Sequence, residues 1–298
     1  MRLSHALALL ALTTPLAAQT PLHEQIATIA KDAKGEVYVA CSLPGTKLDC
    51  DYNAHGHPPM QSTFKFPLAI AVFQQIEAGK LTLDQPIPFL TSDLYKGSYS
   101  PLQDAHPNAG VDVPLRELIR LSASLSDNIA TDILLRLIGG PRTVQHSMDA
   151  LGCAGIHVVH SEAQLHDNET LQYQDSVEPT AMVALLRRFA DKSPLNPEHT
   201  ALLQQWMTET PSAPHRIKGL LPAGTILTHK TGTSGLDNGF YPATNDVGLI
   251  TLPNGQRLAL AIFVTNAHAD DNIDESVIAH IAKAVYDTAV SASTSTTK

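Results

Sequence analysis

The chain has 298 residues, of which 43 % are hydrophobic and 16 % are charged, and its formal net charge is −9. The length fits one large domain or two modest ones, and the composition is that of an ordinary globular protein with a core. The acidic balance and the lack of any basic run argue against nucleic acid as a partner.

The first 20 residues, MRLSHALALLALTTPLAAQT, have the pattern of a secretory signal peptide. Arg2 gives a positive start, residues 6–12 form a short apolar centre, and Leu16-Ala17-Ala18 forms a small-residue exit. The apolar centre is too short to span a bilayer, and no other segment is suited to cross one, so no membrane partner is expected. The pattern predicts a signal peptide over 1–18 and a secreted, periplasmic protein; a buried N-terminal helix is the alternative.

After the signal, PLHEQIATIAKDA has helical spacing, EVYVACSL alternates like a strand, and KLDCDYN follows a Pro-Gly turn as a second strand. Cys41 and Cys50 flank that turn. In an oxidising compartment they can form a disulfide, and two unpaired thiols on different registers are the alternative. Cys153 is left over and is predicted to be a buried apolar residue.

From about residue 60 to 205 the pattern is almost wholly helical, because apolar residues recur at helical intervals. Strands return in GTILTHKTGTS, DVGLITLP and RLALAIFVTN, the last two joined by an Asn-Gly hairpin signal. An amphipathic helix follows from about 273 to 290, and the tail SASTSTTK loses all periodicity.

This order predicts a protein that combines α/β and all-α structure. The two strand groups are each too small to be stable alone, so we expect one five-stranded antiparallel sheet flanked by helices, with an inserted helical domain. The predicted bounds are 19–55 and 206–290 for a discontinuous α/β domain, 56–205 for the helical domain, and 291–298 for a disordered tail.

Residues 62–65 read STFK at the start of a predicted apolar helix. Side chains three positions apart share a helix face, so the Ser62 hydroxyl and the Lys65 amine can meet. A serine becomes a nucleophile when a neighbouring base takes its proton, and a lysine can be that base when desolvation or nearby positive charge lowers its pKa. STTK at 295–298 has the same spacing, but it lies in the polar tail, which cannot hold a geometry.

Two further triplets lie on suitable elements. Ser126-Asp127-Asn128 opens a predicted helix, and Lys230-Thr231-Gly232 lies in a predicted strand. Alone, the first is explained as a helix N-cap and the second as the end of a strand. Together with STFK and in this order, they resemble the motifs of the serine penicillin-recognising enzymes, most closely the class A β-lactamases. The resemblance covers essentially all the chain after the signal, including a split α/β domain around a helical insert.

The resemblance implies catalytic roles for the first two motifs. Ser62 would be the acylated nucleophile, and Lys65 would help to deprotonate it. Ser126 would pass a proton to the departing lactam nitrogen, and Asn128 would contact the amide of the substrate side chain. The backbone N–H groups of Ser62 and Thr233 would form the oxyanion hole.

The third motif is implied in binding the substrate carboxylate. Lys230 and the hydroxyls of Thr231 and Thr233 would face that group in a locally positive pocket. Gly232 would let a substrate lie close along the strand, where any side chain would obstruct it. Arg216 would support the carboxylate site, as an arginine does in similar enzymes.

A lactamase also needs a base that directs water at the acyl ester, and Glu162 in SEAQLHDNETLQYQD is the candidate; a solvated acidic loop residue is the alternative. In the family this glutamate is followed by two residues and then by Leu-Asn. Here His166 replaces the asparagine, which usually helps to hold the water. This departure resembles the PER/VEB-like extended-spectrum subgroup, and Tyr99, in SYSP, would flank the pocket mouth.

The arginine that usually braces this loop is replaced by His160, opposite Asp175. We therefore expect that any ion pair there depends on pH and that a different loop fold widens the pocket for bulky oxyimino-cephalosporins. Carbapenem hydrolysis is disfavoured, because Gln61 and Ser234 stand where members that perform it often carry a disulfide.

Two other functions would use the same serine. They are a D-alanyl-D-alanine carboxypeptidase or transpeptidase, which is a penicillin-binding protein, and a non-enzymatic β-lactam sensor domain. Glu162 argues against the peptidase. A sensor is normally tethered by a membrane helix, and no segment after the signal is suited to be one. A zinc enzyme is disfavoured, since the 14 histidines show no zinc-helix spacing and there is no cysteine cluster. The resemblance implies a monomer with its active site in a cleft between the domains. No cofactor or metal is expected.

Overall fold

The computed structural model describes residues 21–295, so the predicted signal peptide and the last three residues of the predicted tail lie outside it. The described residues form six strands: β1 Glu36–Ser42, β2 Pro86–Phe89, β3 Val111–Pro114, β4 Leu227–Thr233, β5 Tyr241–Thr251 and β6 Arg257–Ala267. Four of them make one antiparallel sheet in the order β1-β6-β5-β4, and β2 pairs with β3 in a separate ribbon. Strands from both ends of the described chain therefore meet in one sheet.

The main sheet has four strands and not the predicted five, and the segment KLDCDYN accounts for the difference. Val39 and Tyr52 exchange two backbone hydrogen bonds, of 2.7 and 2.9 Å, as an isolated bridge. Before this bridge, the Thr46 hydroxyl and the Asp49 carboxylate each accept a hydrogen bond from the backbone N–H two residues ahead. Such local bonds compete with a strand ladder, so the segment pairs at one position only.

The described residues contain ten α-helices: α1 Leu22–Ile29, α2 Lys65–Glu77, α3 Pro101–Ala105, α4 Leu115–Leu125, α5 Asn128–Ile138, α6 Pro141–Ala150, α7 Glu162–Asp167, α8 Pro179–Asp191, α9 Pro197–Thr208 and α10 Asp271–Ser295. Most of them lie in the segment that the sequence predicts to be helical. The β2–β3 ribbon lies there as well, and its four-residue strands are too short to show a period.

Helices pack on both faces of the main sheet. On one face α1 and α10 bury a cluster that includes Ile26, Ile262 and Ile281. On the other face α8 contacts β1 and β6, and the ring of its Phe189 meets Phe66 of α2 edge to face, with centroids 5.4 Å apart. None of the helices within residues 21–295 combines the length and hydropathy that a membrane span requires.

Helix α10 is longer than the sequence predicts. It begins at Asp271 and continues to Ser295, so the first five residues of the predicted disordered tail are helical. The hydroxyls of Thr288 and Ser291 donate to carbonyls one turn earlier, so these polar side chains bond within the helix. The domain bounds inferred from the sequence stay a prediction.

The two cysteines that flank the Pro-Gly turn are bonded. Cys41 is partly buried and follows the last buried residue of β1, and its disulfide to Cys50 joins Cα atoms 5.9 Å apart. Cys50 is fully buried in the same core cluster as α1 and α10. Cys153 is a buried free thiol.

Candidate active site

Ser62 lies in a tight turn that leads into α2. The turn is a 3₁₀ segment, Gln61–Phe64, and Gln61 is held in the left-handed region at a φ of 47°. Lys65 follows as the first residue of α2, so helical chain brings its amine to 3.0 Å from Ser62 Oγ. Lys65 is fully buried. The two side chains that the STFK spacing predicts to meet therefore do so, with the lysine shielded from solvent and the serine on the cavity wall.

The Lys65 amine is surrounded by polar groups. It donates to Asn128 Oδ1 at 2.5 Å and to the Ser126 backbone carbonyl at 2.8 Å. Glu162 Oε1 lies 2.9 Å from Nζ, but this contact lacks hydrogen-bond geometry, and the buried oxygen accepts no hydrogen bond from the described residues. Glu162 is therefore paired with Lys65 by charge, while Oε1 keeps its capacity to accept a hydrogen.

The Ser126-Asp127-Asn128 motif forms the junction of α4 and α5. Asp127 is the N-cap of α5, with its Oδ1 accepting the N–H three residues ahead at 2.8 Å. The same carboxylate accepts the Ser100 hydroxyl and the Leu102 N–H, both at 2.7 Å. The cap that explains this motif structurally thus also anchors the loop that carries Tyr99, whose side chain lies exposed at the rim of the cleft.

Lys230 lies in β4 and reaches the same serine as Lys65. Its Nζ donates to Ser126 Oγ at 3.0 Å and to the Thr231 carbonyl at 2.9 Å. Burial, followed by the charge of Lys65, lowers the pKa of Lys230 well below its usual 10.5, and the charge of Glu162 opposes this only in part. An anion that enters the cleft would favour the charged form of Lys230 and raise that pKa.

Gly232 lies where β4 meets the turn that carries Ser62. A Cβ at Gly232 would stand 2.5 Å from the Met60 carbonyl oxygen, which is too close for any side chain. Asn245, its partner in β5, donates from Nδ2 to the carbonyls of Pro59 and Met60 at 2.9 and 3.1 Å. The glycine therefore lets the sheet edge lie directly against the nucleophile turn, a packing role in addition to the substrate role that the sequence implies.

Arg216 is buried behind the ends of β4 and β5. Its Nη1 donates to the carbonyls of Gly232 and Asn245, each at 3.0 Å. Its Nη2 donates to Thr233 Oγ1 at 2.9 Å, and Nε pairs with Glu275 at 3.0 Å. Arg216 thus braces the strand ends and brings positive charge to the cavity wall beside Thr233.

Helix α7 begins at Glu162, with Ser161 as its N-cap. Asp132, in α5, accepts the N–H groups of Glu162 and Ala163, both at 2.8 Å. Burial, followed by the charge of Glu162, raises the pKa of Asp132 from its usual 3.8 to about 7. Asp132 is not among the residues that the sequence predicts; the only signal for it is an acidic residue one helical turn after Asn128.

Asp175 closes the base of the loop that carries Glu162. Its Oδ1 accepts the N–H groups of Val159 and His160 at 2.8 and 3.0 Å, and Oδ2 lies 2.6 Å from His160 Nδ1. Its backbone carbonyl accepts the Met60 N–H at 2.8 Å. Asp175 therefore joins both ends of the loop to the segment before the nucleophile, and His160 lies opposite it as the sequence predicts.

Further contacts hold the remainder of this loop. Gln61 donates to Gln172 Oε1 at 2.5 Å, so the residue before the nucleophile bonds the loop directly. The Tyr173 hydroxyl donates to Asn266 at the end of β6, at 2.7 Å. His166 packs its ring 5.2 Å from that of Tyr95 and lines the same cavity as Glu162.

The cleft consists of two adjoining cavities that share Asn128 and Thr233. The carboxylate-side cavity, of about 380 Å³, extends from Ser62 to Arg216 and Glu275, and Tyr99, Ser126 and Thr231 also line it. The loop-side cavity, of about 200 Å³, is lined by the loop residues Glu162, Leu165, His166, Glu169 and Gln172 and by Gln61, Ser234, Gly235 and Pro242. Within residues 21–295, no three His, Cys, Asp or Glu side chains group as a metal site.

A half-buried serine that contacts a buried lysine, beside a second serine, a second lysine and a carboxylate, is an arrangement suited to acyl transfer through a serine. The sequence matches the beta-lactamase enzyme family, Beta-lactamase2, over residues 21–289. The extended-spectrum β-lactamase PER-1 of Pseudomonas aeruginosa is 38 % identical over 270 residues, which are 90 % of this chain and 88 % of that protein. β-Lactamase VEB-1 of Pseudomonas aeruginosa is 38 % identical over 264 residues, which are 88 % of each chain.

Among solved structures, that of the TLA-1 extended-spectrum β-lactamase is similar, with a TM-score of 0.88 at 36 % identity, over 90 % of this chain and 98 % of that one. The chain therefore belongs to the β-lactamase enzyme family, in class A. The resemblance to the PER/VEB-like subgroup and the fold class, apart from the strand count, are confirmed.

Proposed function

We propose that this protein is a serine β-lactamase that hydrolyses penicillins and cephalosporins through an acyl-enzyme on Ser62. The position of Glu162 carries the proposal. Its carboxylate lies 2.9 Å from the Lys65 amine, and the residue lines the wall of the cleft. A carboxylate in this position is suited to activate water. Such a base lets water release the acyl group, and its loss slows that step.

In the proposed acylation, Ser62 Oγ attacks the lactam carbonyl carbon and its proton passes to the Lys65–Glu162 pair. The distances of 3.0 Å from Lys65 to Ser62 Oγ and 2.9 Å from Lys65 to Glu162 support this transfer. We assign the developing oxyanion to the backbone N–H groups of Ser62 and Thr233. The Ser62 nitrogen is 3.2 Å from the Cβ position of Gly232, so these donors come from segments in contact.

When the oxyanion collapses, the lactam C–N bond breaks and the nitrogen takes the proton of the Ser126 hydroxyl. Ser126 Oγ lies 3.0 Å from the Lys230 amine and 3.4 Å from that of Lys65, so either amine can return a proton to it. Asn128 uses its Oδ1 on Lys65, which leaves its NH₂ group to donate to the side-chain amide of the substrate.

The substrate carboxylate is proposed to lie in the carboxylate-side cavity. Lys230 and Arg216 supply positive charge there, and the hydroxyls of Thr231 and Thr233 supply donors. Gly232 leaves the strand edge open for the substrate. Because both cations are nearly fully buried, their attraction for an anion is screened less than it would be at the surface.

In the proposed deacylation, Glu162 takes a proton from water, and the water oxygen attacks the ester carbonyl carbon. The ester C–O bond then breaks, and the proton returns to Ser62 Oγ. His166, which lines the cavity with Glu162, is proposed to border both this water and the substrate side chain.

Bulky oxyimino-cephalosporins are proposed as substrates in addition to penicillins. PER-1 and TLA-1 are described as extended-spectrum enzymes. If Asn128 donates to the side-chain amide of the substrate, the rest of that side chain would extend into the loop-side cavity. Comparing turnover of cefotaxime with that of benzylpenicillin tests this extension, which is wrong if cefotaxime is barely hydrolysed. Carbapenem hydrolysis stays disfavoured, since Gln61 and Ser234 have no thiols to form the disulfide that members with this activity often carry at these positions.

We also propose that the protein acts as a monomer in the periplasm. The disulfide between Cys41 and Cys50 fits an oxidising compartment. The side chains assigned a role meet within one chain, so the proposed site is complete without a second copy.

Intact-protein mass during incubation with benzylpenicillin, with absorbance in parallel, tests the proposed function. We expect the mature protein to destroy many equivalents and Glu162→Gln to accumulate one adduct on Ser62, because loss of a general base slows a step by about 10²–10⁴-fold. Glu169→Gln is the matched control, since Glu169 is an exposed carboxylate on the wall of the same cavity. A parent protein trapped after one turnover would instead be a penicillin-binding peptidase or a sensor.

A further inference from the structure

Asp246 is a fully buried carboxylate for which the proposed mechanism has no use. It lies in β5, where it pairs with Thr231 of β4, and its side chain is completely shielded from solvent. Among the described residues, Asp246 lines neither cavity of the cleft. A buried carboxylate requires compensating partners, so the identity of those partners indicates what it does.

The Asp246 carboxylate bonds one residue next to Lys230 and one residue next to Arg216, the two cations of the cleft. Its Oδ1 lies 2.8 Å from Nδ1 of His229, the residue immediately before Lys230. Its Oδ2 accepts the N–H of Ile217, the residue immediately after Arg216, at 3.1 Å. One side chain thus bonds β4 at Lys230 and the turn at Arg216 simultaneously.

The surroundings of this bridge are tightly packed. His229 is buried, and a Cβ on Gly248, its partner across the strands, would stand 2.6 Å from the His229 Cβ. Ile217 is fully buried in the cluster beneath α10. Both bonded neighbours of Asp246 are buried in packed surroundings, so we expect the bridge to fix the position of β4 relative to the turn at Arg216.

We propose that Asp246, together with His229, is a positioning residue for substrate-carboxylate recognition that fixes Arg216 relative to Lys230. It acts through these two cations and does not touch the substrate. The inference rests on the proposed function, because it assumes that the anion held between Lys230 and Arg216 is the carboxylate of a β-lactam.

The test must separate position from charge, since the charge of Asp246 also favours the ammonium form of Lys230. Asp246→Ala removes both the charge and the bridge. Asp246→Asn removes the charge but keeps the bridge: its oxygen can accept the Ile217 N–H, and its NH₂ can donate to Nδ1 of the other His229 tautomer.

The measurement is the ratio of kcat/KM for benzylpenicillin to that for its methyl ester, which lacks the anion. We expect Asp246→Ala to lower this ratio about tenfold, the effect of one hydrogen bond to a charged group, and Asp246→Asn to keep it within about twofold. A purely structural defect lowers the folded fraction and affects both substrates equally, so it leaves the ratio unchanged.

Glu77→Gln is the matched control, because Glu77 forms another His–carboxylate contact, 2.8 Å from His199 and away from the cleft. It is expected to lower stability without changing the ratio. In an Arg216→Ala background, Asp246→Ala should have little further effect on the ratio, since residues that act through one another are not additive.

If Asp246→Ala does not fold, His229→Leu breaks one of the two bonds and is expected to lower the ratio about threefold. An unchanged ratio in a folded variant, equal losses for the Asn and Ala variants, or full additivity with Arg216→Ala overturns the inference. If the parent is acylated without turnover, the ratio of acylation rate constants gives the same test, so failure of the proposed function and failure of this inference are distinguishable.

Discussion

Asp132 and Glu162 are joined through the backbone: the Asp132 carboxylate accepts the N–H of Glu162 and that of the next residue, both at 2.8 Å. The proposed general base is therefore oriented by the start of its own helix. Its side chain is left to pair with Lys65 and to face the cleft.

Asp132→Asn should slow deacylation about tenfold, because an amide offers one acceptor oxygen and leaves a buried N–H of α7 unpaired, at a cost of about 1–3 kcal/mol. The measurement is the rate at which the acyl-enzyme disappears after mixing with limiting substrate, with acylation followed separately. Unchanged deacylation would mean that the contact with Lys65 alone is sufficient to orient Glu162.

The stability of the protein should depend on pH through Asp132. Its pKa is raised in the folded state from 3.8 to about 7, so the folded protein retains a proton that the unfolded chain releases. The stabilisation by this group is complete below the lower value and is lost as the pH rises through about 7. We expect the melting temperature to fall between about pH 4 and pH 7, and Asp132→Asn to flatten that slope. An equal slope in the variant contradicts the assignment.

Binding of an anionic substrate should weaken at a lower pH than it would if Lys230 had the pKa of an ordinary lysine. Burial and the charge of Lys65 lower the pKa of Lys230 well below 10.5, so its positive charge is lost below that pH. We expect kcat/KM for benzylpenicillin to fall with a midpoint below 10.5, and Lys230→Arg to remove the alkaline limb, since a guanidinium stays charged. If kcat/KM for the methyl ester shows an alkaline fall of equal size, that fall is caused by a group other than Lys230.

Gly232→Ala should impair acylation strongly. The new Cβ would meet the Met60 carbonyl at 2.5 Å, so either β4 or the turn that carries Ser62 has to move. A displacement of about 1 Å at a reacting group can lower the rate about 10²-fold. Gly235→Ala is the control, because a Cβ at Gly235 meets nothing within 4 Å. Equal acylation rates in the two variants would contradict the close approach.

The disulfide should affect stability and leave the chemistry unchanged. It closes a loop between cysteines nine positions apart, for which a loss of about 2–4 kcal/mol is expected on removal. Cys41→Ser combined with Cys50→Ser should therefore lower the free energy of unfolding while kcat stays at its parent value, since neither residue lines the cleft. Denaturant unfolding with and without a thiol reductant measures this, and reductant should have no effect on the double variant.

The parts of the site that could be predicted from the sequence are those in which a few consecutive residues carry the chemistry. STFK, SDN and KTG each lie on one element, so spacing alone places Ser62 near Lys65 and makes Asn128 the first residue of a helix. The roles of Asp132 and Asp246 depend on elements that pack together from distant parts of the chain, and the bonds that they accept from backbone N–H groups leave no sequence pattern. The missing strand after Thr46 has a similar cause, because short polar side chains bond the local backbone there.

The division of the cleft has an evolutionary consequence. Asn128 and Thr233 are the shared boundary, so one side of the cleft can accumulate substitutions at Leu165 or Glu169 while the cations on the other side remain untouched. Selection by new antibiotics that differ only in their side chains then acts on a region whose changes do not disturb recognition of the group common to all of them. The range of antibiotics that the enzyme accepts can therefore change while its recognition of their common carboxylate stays the same.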